Sequence, residues 1–214
     1  MRKDKYKCID DLKTCEFPKH YRIKPSFDSE RTNRILIFSP HGGGIEKGVS
    51  EIVRELSKVG DYNSYLFEGK KKEGNKDLHI TSHHFNEKML FKLLEIHETA
   101  LSIHGMKIKD KSIDIIIGGL NKTLGELIKK NLNGFSTCIN ENELPSQLNL
   151  FARRKDNVTN LCQIKQGVQL EISEELRRKF FERLSPQKFR NNKTKLYYNF
   201  INSLNKGIME YLSS

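Results

Sequence analysis

The amino-acid sequence predicts an α/β protein, a single three-layer domain with a largely parallel or mixed sheet. Three observations carry that expectation. Short continuous apolar runs, "RILIFSP", "TALSIHG" and "IDIIIGG", have the length and unbroken hydrophobicity of buried strands. Between them lie segments whose apolar residues recur at helical spacing, so strands and helices alternate along the chain. The length, 214 residues, suits one α/β domain with its own core and is short for two.

Taken in order, residues 1–32 are polar and read as an N-terminal arm docked by Tyr6, Phe17 and Tyr21. "RILIFSP" is a strand ended by Pro40. Over residues 46–59 the positions Val49, Ile52, Val53 and Leu56 mark a helix, stopped at Gly60. "NSYLFEG" and "DLHITS" read as two strands around the charged turn "KKKEGNK". "NEKMLFKLLEIHE" is a helix with Asn86 as its N-cap and Met89, Leu90, Leu93 and Leu94 facing inward. "TALSIHG" and "IDIIIGG" follow as strands, each closed by glycine, and then come the helix "KTLGELIKKNL" and the strand "FSTCIN". Residues 141–165 are less regular. "GVQLEIS" is a final strand running into the helix "SEELRRKFFERL", and beyond Pro186 residues 194–214 form a C-terminal amphipathic helix. No repeat or low-complexity linker divides the chain, so residues 1–214 read as one domain.

Hydrophobic residues make up 36% of the chain and charged residues 30%, polar for a globular protein but organised in apolar runs that disorder would lack. No run approaches the roughly 20 apolar residues that cross a bilayer, so no membrane association is expected. The start, "MRKDKYKCIDDLK", has no apolar stretch behind its basic residues, which reads as cytoplasmic synthesis without a secretory signal. Cys8, Cys15, Cys138 and Cys162 are scattered, with no C-x-x-C pair, so reduced thiols rather than a cysteine-rich zinc site are expected. The net charge of +11 attracts polyanions without choosing among them.

The chemistry concentrates in "RILIFSPHGGGIEKG". As a phosphate cradle it is weak: Lys47 precedes Gly48, which breaks the Walker pattern, and G-x-G-x-x-G has no match. A glycine nest could still take an anion. As a metal turn it is stronger. His41 stands just past a strand end, Glu46 opens the next helix, and Gly42, Gly43 and Gly44 permit the reversal that brings them together. A second histidine completes a usual zinc set. "LSIHG" repeats the grammar of "FSPHG", which puts His104 at the same edge of the sheet. Glu171, alternating with Val168 and Leu170 on an apparent buried strand, is either an ordinary strand-end carboxylate or a general base beside a metal-bound water.

The segments "SPHGGGIEKGVSEI", "SYLFEG", "GNKDLHITSHHFNE", "SIHG", "IGGLNKTLGELI" and "GVQLEIS", in this order, resemble the phage-derived poly-γ-glutamate hydrolase family, from about Tyr6 to the "SEELRRKF" helix. The resemblance implies an open, mixed α/β sheet like that of zinc carboxypeptidases. It implies one zinc ion on His41, Glu46 and His104, with Glu171 as the catalytic glutamate. The chain departs from the family where an Asn-Arg pair precedes the "GVQLE" strand: here Leu161 follows Asn160. Arg153, Arg154 or Lys165 could stand in for the missing guanidinium, the lysine without bidentate geometry. Asn160 and His83 are the other substrate-contact candidates. His79 and His84 read as structural.

The leading expectation is thus a zinc-dependent amidohydrolase cleaving γ-glutamyl amide bonds of an anionic polymer or peptide. A zinc carboxypeptidase or amidase acting on peptides or cell-wall γ-glutamyl links is the near alternative. A basic nucleic-acid-binding accessory protein ranks below both, because no helix-turn-helix, zinc finger or RNA-binding aromatic motif is present. A monomer is the working expectation. Release by phage lysis would let such an enzyme act outside the cell.

Overall fold

A computed structural model describes residues 4–31, 34–108 and 112–214. Its elements are α1 (Ile9–Cys15), β1 (Tyr21–Ser26), β2 (Ile35–Gly43), α2 (Val49–Gly60), β3 (Asn63–Gly69), α3 (Lys88–Ile96) and β4 (Thr99–Met106). After these come β5 (Ile115–Gly119), α4 (Lys122–Asn131), β6 (Thr137–Cys138), β7 (Val168–Ser173), α5 (Glu174–Lys179) and α6 (Lys195–Leu212). The strands make one seven-stranded sheet in the order β1-β3-β2-β4-β7-β5-β6. The four central strands, β3, β2, β4 and β7, are mutually parallel, β1 and β5 pair antiparallel to β3 and β7, and β6 runs parallel to β5. The sheet is open and mixed, as expected.

The three layers follow from the period of two along each strand. Ile35 and Ile37 of β2, Leu101 and Ile103 of β4, and Leu170 and Ile172 of β7 join one apolar cluster with residues of α2, α4, α5 and α6. Leu36 and Phe38 of β2 and Tyr65 and Phe67 of β3 join a second, with α1, α3 and the Leu78–Phe85 region. The central strands are buried on both faces, which is why they read as unbroken apolar runs.

Several elements differ from the sequence reading, each for a local reason. Residues 4–26 form α1 and the edge strand β1; Tyr6 is buried, whereas Phe17 stands 67% exposed rather than docked. "DLHITS" is not a strand but a pair of 3-10 turns. Its backbone is committed to side chains instead of a ladder: Asp4 accepts the Thr81 N–H at 2.7 Å, and the His41 ring meets the Ile80 carbonyl at 2.8 Å. The helix after the glycine turn begins at Val49, since Gly48 adopts φ +94°. Glu87, not Asn86, caps α3, accepting from the Met89 and Leu90 amides, while Asn86 accepts from Ile9. Met89 faces solvent. Helix α5 stops at Lys179 because Phe181 bridges Lys193 and the Phe180 carbonyl takes the Thr194 amide, turning the chain back. "FSTCIN" contributes only the two paired residues of β6.

Candidate metal centre

The carboxyl ends of β2, β4 and β7 meet at one edge of the sheet, where open α/β sheets place their ligands. Strand β2 is in regular register with β3 up to Ser39 and resumes at Gly42, so Pro40 and His41 lie on a bulge. A bulge re-aims a side chain, and this one carries His41. Gly43, at φ +68°, lets β2 run on against β3: a Cβ there would stand 2.4 Å from the Gly69 carbonyl oxygen. The turn then closes with the Glu46 amide donating to the His41 carbonyl at 2.9 Å, which folds Glu46 back over His41. His104 on β4 and Glu171 on β7 are direct partners in a parallel register, so their side chains leave the sheet together.

His41, Glu46 and His104 each present a donor atom, all within 4.8 Å of one another. His41 Nδ1 lies 3.1 Å from Glu46 Oε1 and 3.1 Å from His104 Nδ1. Neighbours fix these groups. The His41 ring is held at its Nε2 by the Ile80 carbonyl, leaving Nδ1 toward the cluster, and Glu46 Oε2 accepts the Gly105 N–H at 2.8 Å. Glu171 Oε1 stands 4.0 Å from His104 Nδ1 and accepts from Gln169 Nε2 at 2.9 Å. The Nε2 of His104 is buried without a partner among the described residues, a cost of about 1–3 kcal/mol that a bond at the opposite nitrogen would help offset.

Two imidazole nitrogens and a carboxylate converging on one point form the donor set of a catalytic zinc site. The charge state points the same way. Burial opposes the charge of Glu46, but the His41 ring beside it pulls the carboxyl down to about 2. Burial likewise opposes charge on His41, yet Glu46 outweighs it and raises the ring above the ordinary histidine value. Burial and then the His41 charge push His104 down to about 3, so its ring is neutral and able to ligate. Glu171 is raised well above the carboxylate range by burial and next by the Glu46 charge, partly offset by Arg177 and Gln169.

Glu46 reaches the wall of an open cleft of about 430 Å³, whose rim also holds Lys47, Lys76, His79, Lys107 and Arg178. His41, His104 and Glu171 are buried, the two histidines beside Glu46 and Glu171 beside His104. Arg177, also at the cleft, is buried and donates to the carbonyls of Ile172, Lys47 and Met106.

The other candidates from the sequence do not line this cleft. Arg153 donates to the carbonyls of Gly119 and Ile139 and to Glu141. Arg154 forms an exposed pair with Asp156 at 2.6 Å. Asn160 is fully buried, donating to the carbonyls of Ala152 and Arg154 and accepting from the amides of Leu120 and Gly167. Lys165, at φ +57°, extends back along the loop to the Leu161 carbonyl. His83 packs edge-on against His84, and burial lowers its pKa. Conversely, the sequence reading passed over Gln169, Arg177 and Asp4, and read His79, which lines the cleft, as structural. Gln169 carried a signal, since it sits two residues before Glu171 and so shares its face.

The chain matches the model of the family described as poly-gamma-glutamate hydrolase over residues 6–203. It is 37% identical over 209 residues to the SPbeta prophage-derived UPF0714 protein YoqZ of Bacillus subtilis (strain 168), covering 97% of this chain and 72% of that protein. Its fold superposes on the structure of a bacteriophage poly-gamma-glutamate hydrolase with a TM-score of 0.89 and 32% identity, covering 99% of each chain. It also superposes on YndL in an apo, zinc-free form, with a TM-score of 0.85, 30% identity and coverage of 98% and 99%. The sheet, the buried histidine–glutamate edge and these likenesses together make the chain a hydrolase that belongs to the poly-gamma-glutamate hydrolase family.

Proposed function

We propose that this hydrolase cleaves γ-glutamyl amide bonds of poly-γ-glutamate, using one zinc ion held by His41, Glu46 and His104. The observation that carries the reading is the convergence of His41 Nδ1, Glu46 and a His104 nitrogen within 4.8 Å, at the edge where Glu171 also ends. Zinc bound there supplies Lewis acidity, polarising a carbonyl and bringing water toward a pKa near 7. A cation held at the His41–Glu46–His104 donor set would offset the Glu46 charge and favour the ionised form of Glu171, which would then accept the proton of the attacking water on a carboxylate oxygen and return it to the leaving nitrogen as the C–N bond breaks. Gln169 holds Oε1 of Glu171, so that proton transfer takes place from a fixed position. Glu46, anchored by the Gly105 amide, keeps its other oxygen toward His41.

The substrate carries a free carboxylate on every residue, and the cleft rim answers with Lys47 and Lys76 and with Lys107 and Arg178, which share the Glu174 carboxylate at the cleft and keep further donors beyond it. Those cations, rather than Arg153 or Asn160, whose donors are taken up by backbone carbonyls, would receive successive carboxylates. Binding should weaken as salt screens the rim. The test is the chain length of poly-γ-glutamate after exposure to the zinc-loaded protein. Shortening that chelation abolishes and zinc restores supports the reading; an unchanged polymer with zinc fully bound rejects it.

A further inference from the structure

We propose that His79 touches the substrate, accepting a hydrogen bond at Nε2 from the N–H of the scissile amide, with Asp4 as its positioning residue. The inference rests on the poly-γ-glutamate reading above and assigns it a residue outside the metal cluster and its general base. His79 lines the same cleft as Glu46, and its ring stacks on His41 with centroids 4.1 Å apart and planes at 27°. Its Nδ1 lies 2.7 Å from Asp4 Oδ1, while Asp4 Oδ2 accepts the Thr81 amide at 2.7 Å. The Asp4 side chain is 13% exposed and the His79 side chain 37%. Burial works against the Asp4 charge, but hydrogen bonds from His79 and Thr81 hold its carboxyl well below the usual range.

An ionised Asp4 accepts only, so Nδ1 of His79 is the nitrogen that carries the proton. The opposite nitrogen, Nε2, has no hydrogen-bond partner among the described residues, and the ring borders open cleft. In the neutral imidazole that atom is an acceptor. A γ-glutamyl polymer offers carbonyl and carboxylate oxygens, which accept, and amide N–H groups, which alone donate. The N–H is therefore the group an Nε2 lone pair takes.

The contact would strengthen along the reaction. As the C–N bond breaks, its electron pair stays on nitrogen, which takes the proton carried by Glu171 and becomes a stronger donor. His79 transfers nothing; it holds the departing amine. An interaction stronger in the transition state than in the ground state appears in kcat rather than KM. Ring support alone would not require Asp4, brought from 75 residues away, because the Ile80 carbonyl and Phe85 already flank His41.

The test compares zinc-loaded wild type with His79→Phe, His79→Gln and Asp4→Asn, measuring zinc per chain, Tm, kcat and KM on poly-γ-glutamate. His79→Phe keeps a ring to stack on His41, so zinc and Tm should hold while kcat falls by about 10- to 100-fold and KM changes by less than about twofold. His79→Gln, with a side-chain oxygen as acceptor, should recover part of that loss. Asp4→Asn can donate to Nδ1 and so drive the proton to Nε2, and should lower kcat by about 10-fold with zinc retained. Unchanged kcat in His79→Phe beside an active wild type overturns the inference alone. Loss of zinc or Tm in proportion to activity in both His79 variants overturns it in favour of ring support. A wild type that binds zinc but leaves the polymer intact overturns this inference and the proposed function together.

Discussion

Two glutamates on neighbouring strands and turns of the same sheet, one buried and one partly buried at the cleft wall, have opposite surroundings. Glu68, on β3, is 1% exposed and meets Arg22 at 2.6 Å and Arg54 on its two oxygens, with Ser50 adding a hydrogen bond. Burial opposes its charge, but the arginines prevail and its pKa is lowered. Glu46, one turn beyond β2, meets two histidines and the more distant, protonation-prone Glu171, with Arg177 committed to carbonyls. The first cluster is electrically complete within the protein. The second gathers two imidazoles and two carboxylates with no arginine or lysine bonded to either carboxylate among the described residues, in reach of a cleft. Buried charge that is fully paired is structure; buried donors that converge without a counter-ion make a site for one.

Breaking the second cluster should have the largest effect. Glu171→Gln keeps the Gln169 contact and the shape of the strand, so zinc content and Tm should hold, while kcat on poly-γ-glutamate falls by about 10³-fold or more. A fall below about 10-fold would remove Glu171 from proton transfer.

Breaking the first cluster should do the reverse. Glu68→Gln leaves Arg22 and Arg54 facing a neutral amide and should cost about 2 kcal/mol of stability, discounted because both arginines are partly exposed. Denaturant unfolding measures it, and in the folded variant kcat should stay near wild type. A loss of zinc or kcat instead would mean that the two clusters are coupled.

Acid sharpens the contrast. The folded pKa of Glu68 lies below its unfolded value, so its contribution to stability is fully present above about pH 4.5 and is lost as pH falls through the folded pKa. The stability gap between wild type and Glu68→Gln should be constant from pH 7 to about 5 and close as pH drops further. A gap that widened in acid would contradict the pairing.

The smallest effect is expected at Arg154. Its pair with Asp156 is exposed and screened by water, and Arg154→Ala should leave Tm unchanged and kcat/KM within about threefold of wild type. A large rise in KM would return Arg154 to the role of carboxylate holder that its place before the "GVQLE" strand suggested.

What the sequence revealed and what it concealed divide along the same physical line. The convergence of His41, Glu46 and His104 was legible because strand ends and a glycine turn are local signals, whereas the strand position of Glu171 left it open and only the family resemblance singled it out. The parallel strands were legible because burial on both faces leaves unbroken apolar runs. Asp4 and His79 were not, since their meeting depends on where the N-terminal segment packs, and the "DLHITS" run shows a strand's residue types without a strand's hydrogen bonds. Arg177 was hidden by being one of several charges on a helix, with only its burial setting it apart. The arginines ahead of β7 had a suggestive position, yet the fold turns Arg153 into a clamp for the Gly119 and Ile139 carbonyls.

The most direct test of the central claim is the zinc content of the purified chain, measured by elemental analysis for wild type, His104→Ala and Glu68→Gln side by side. About one zinc per chain in wild type and Glu68→Gln, and a strongly depleted His104→Ala, is the predicted result, because His104 supplies one of the three converging donors. Zinc retained in full by a folded His104→Ala, or never taken up by wild type, would contradict it.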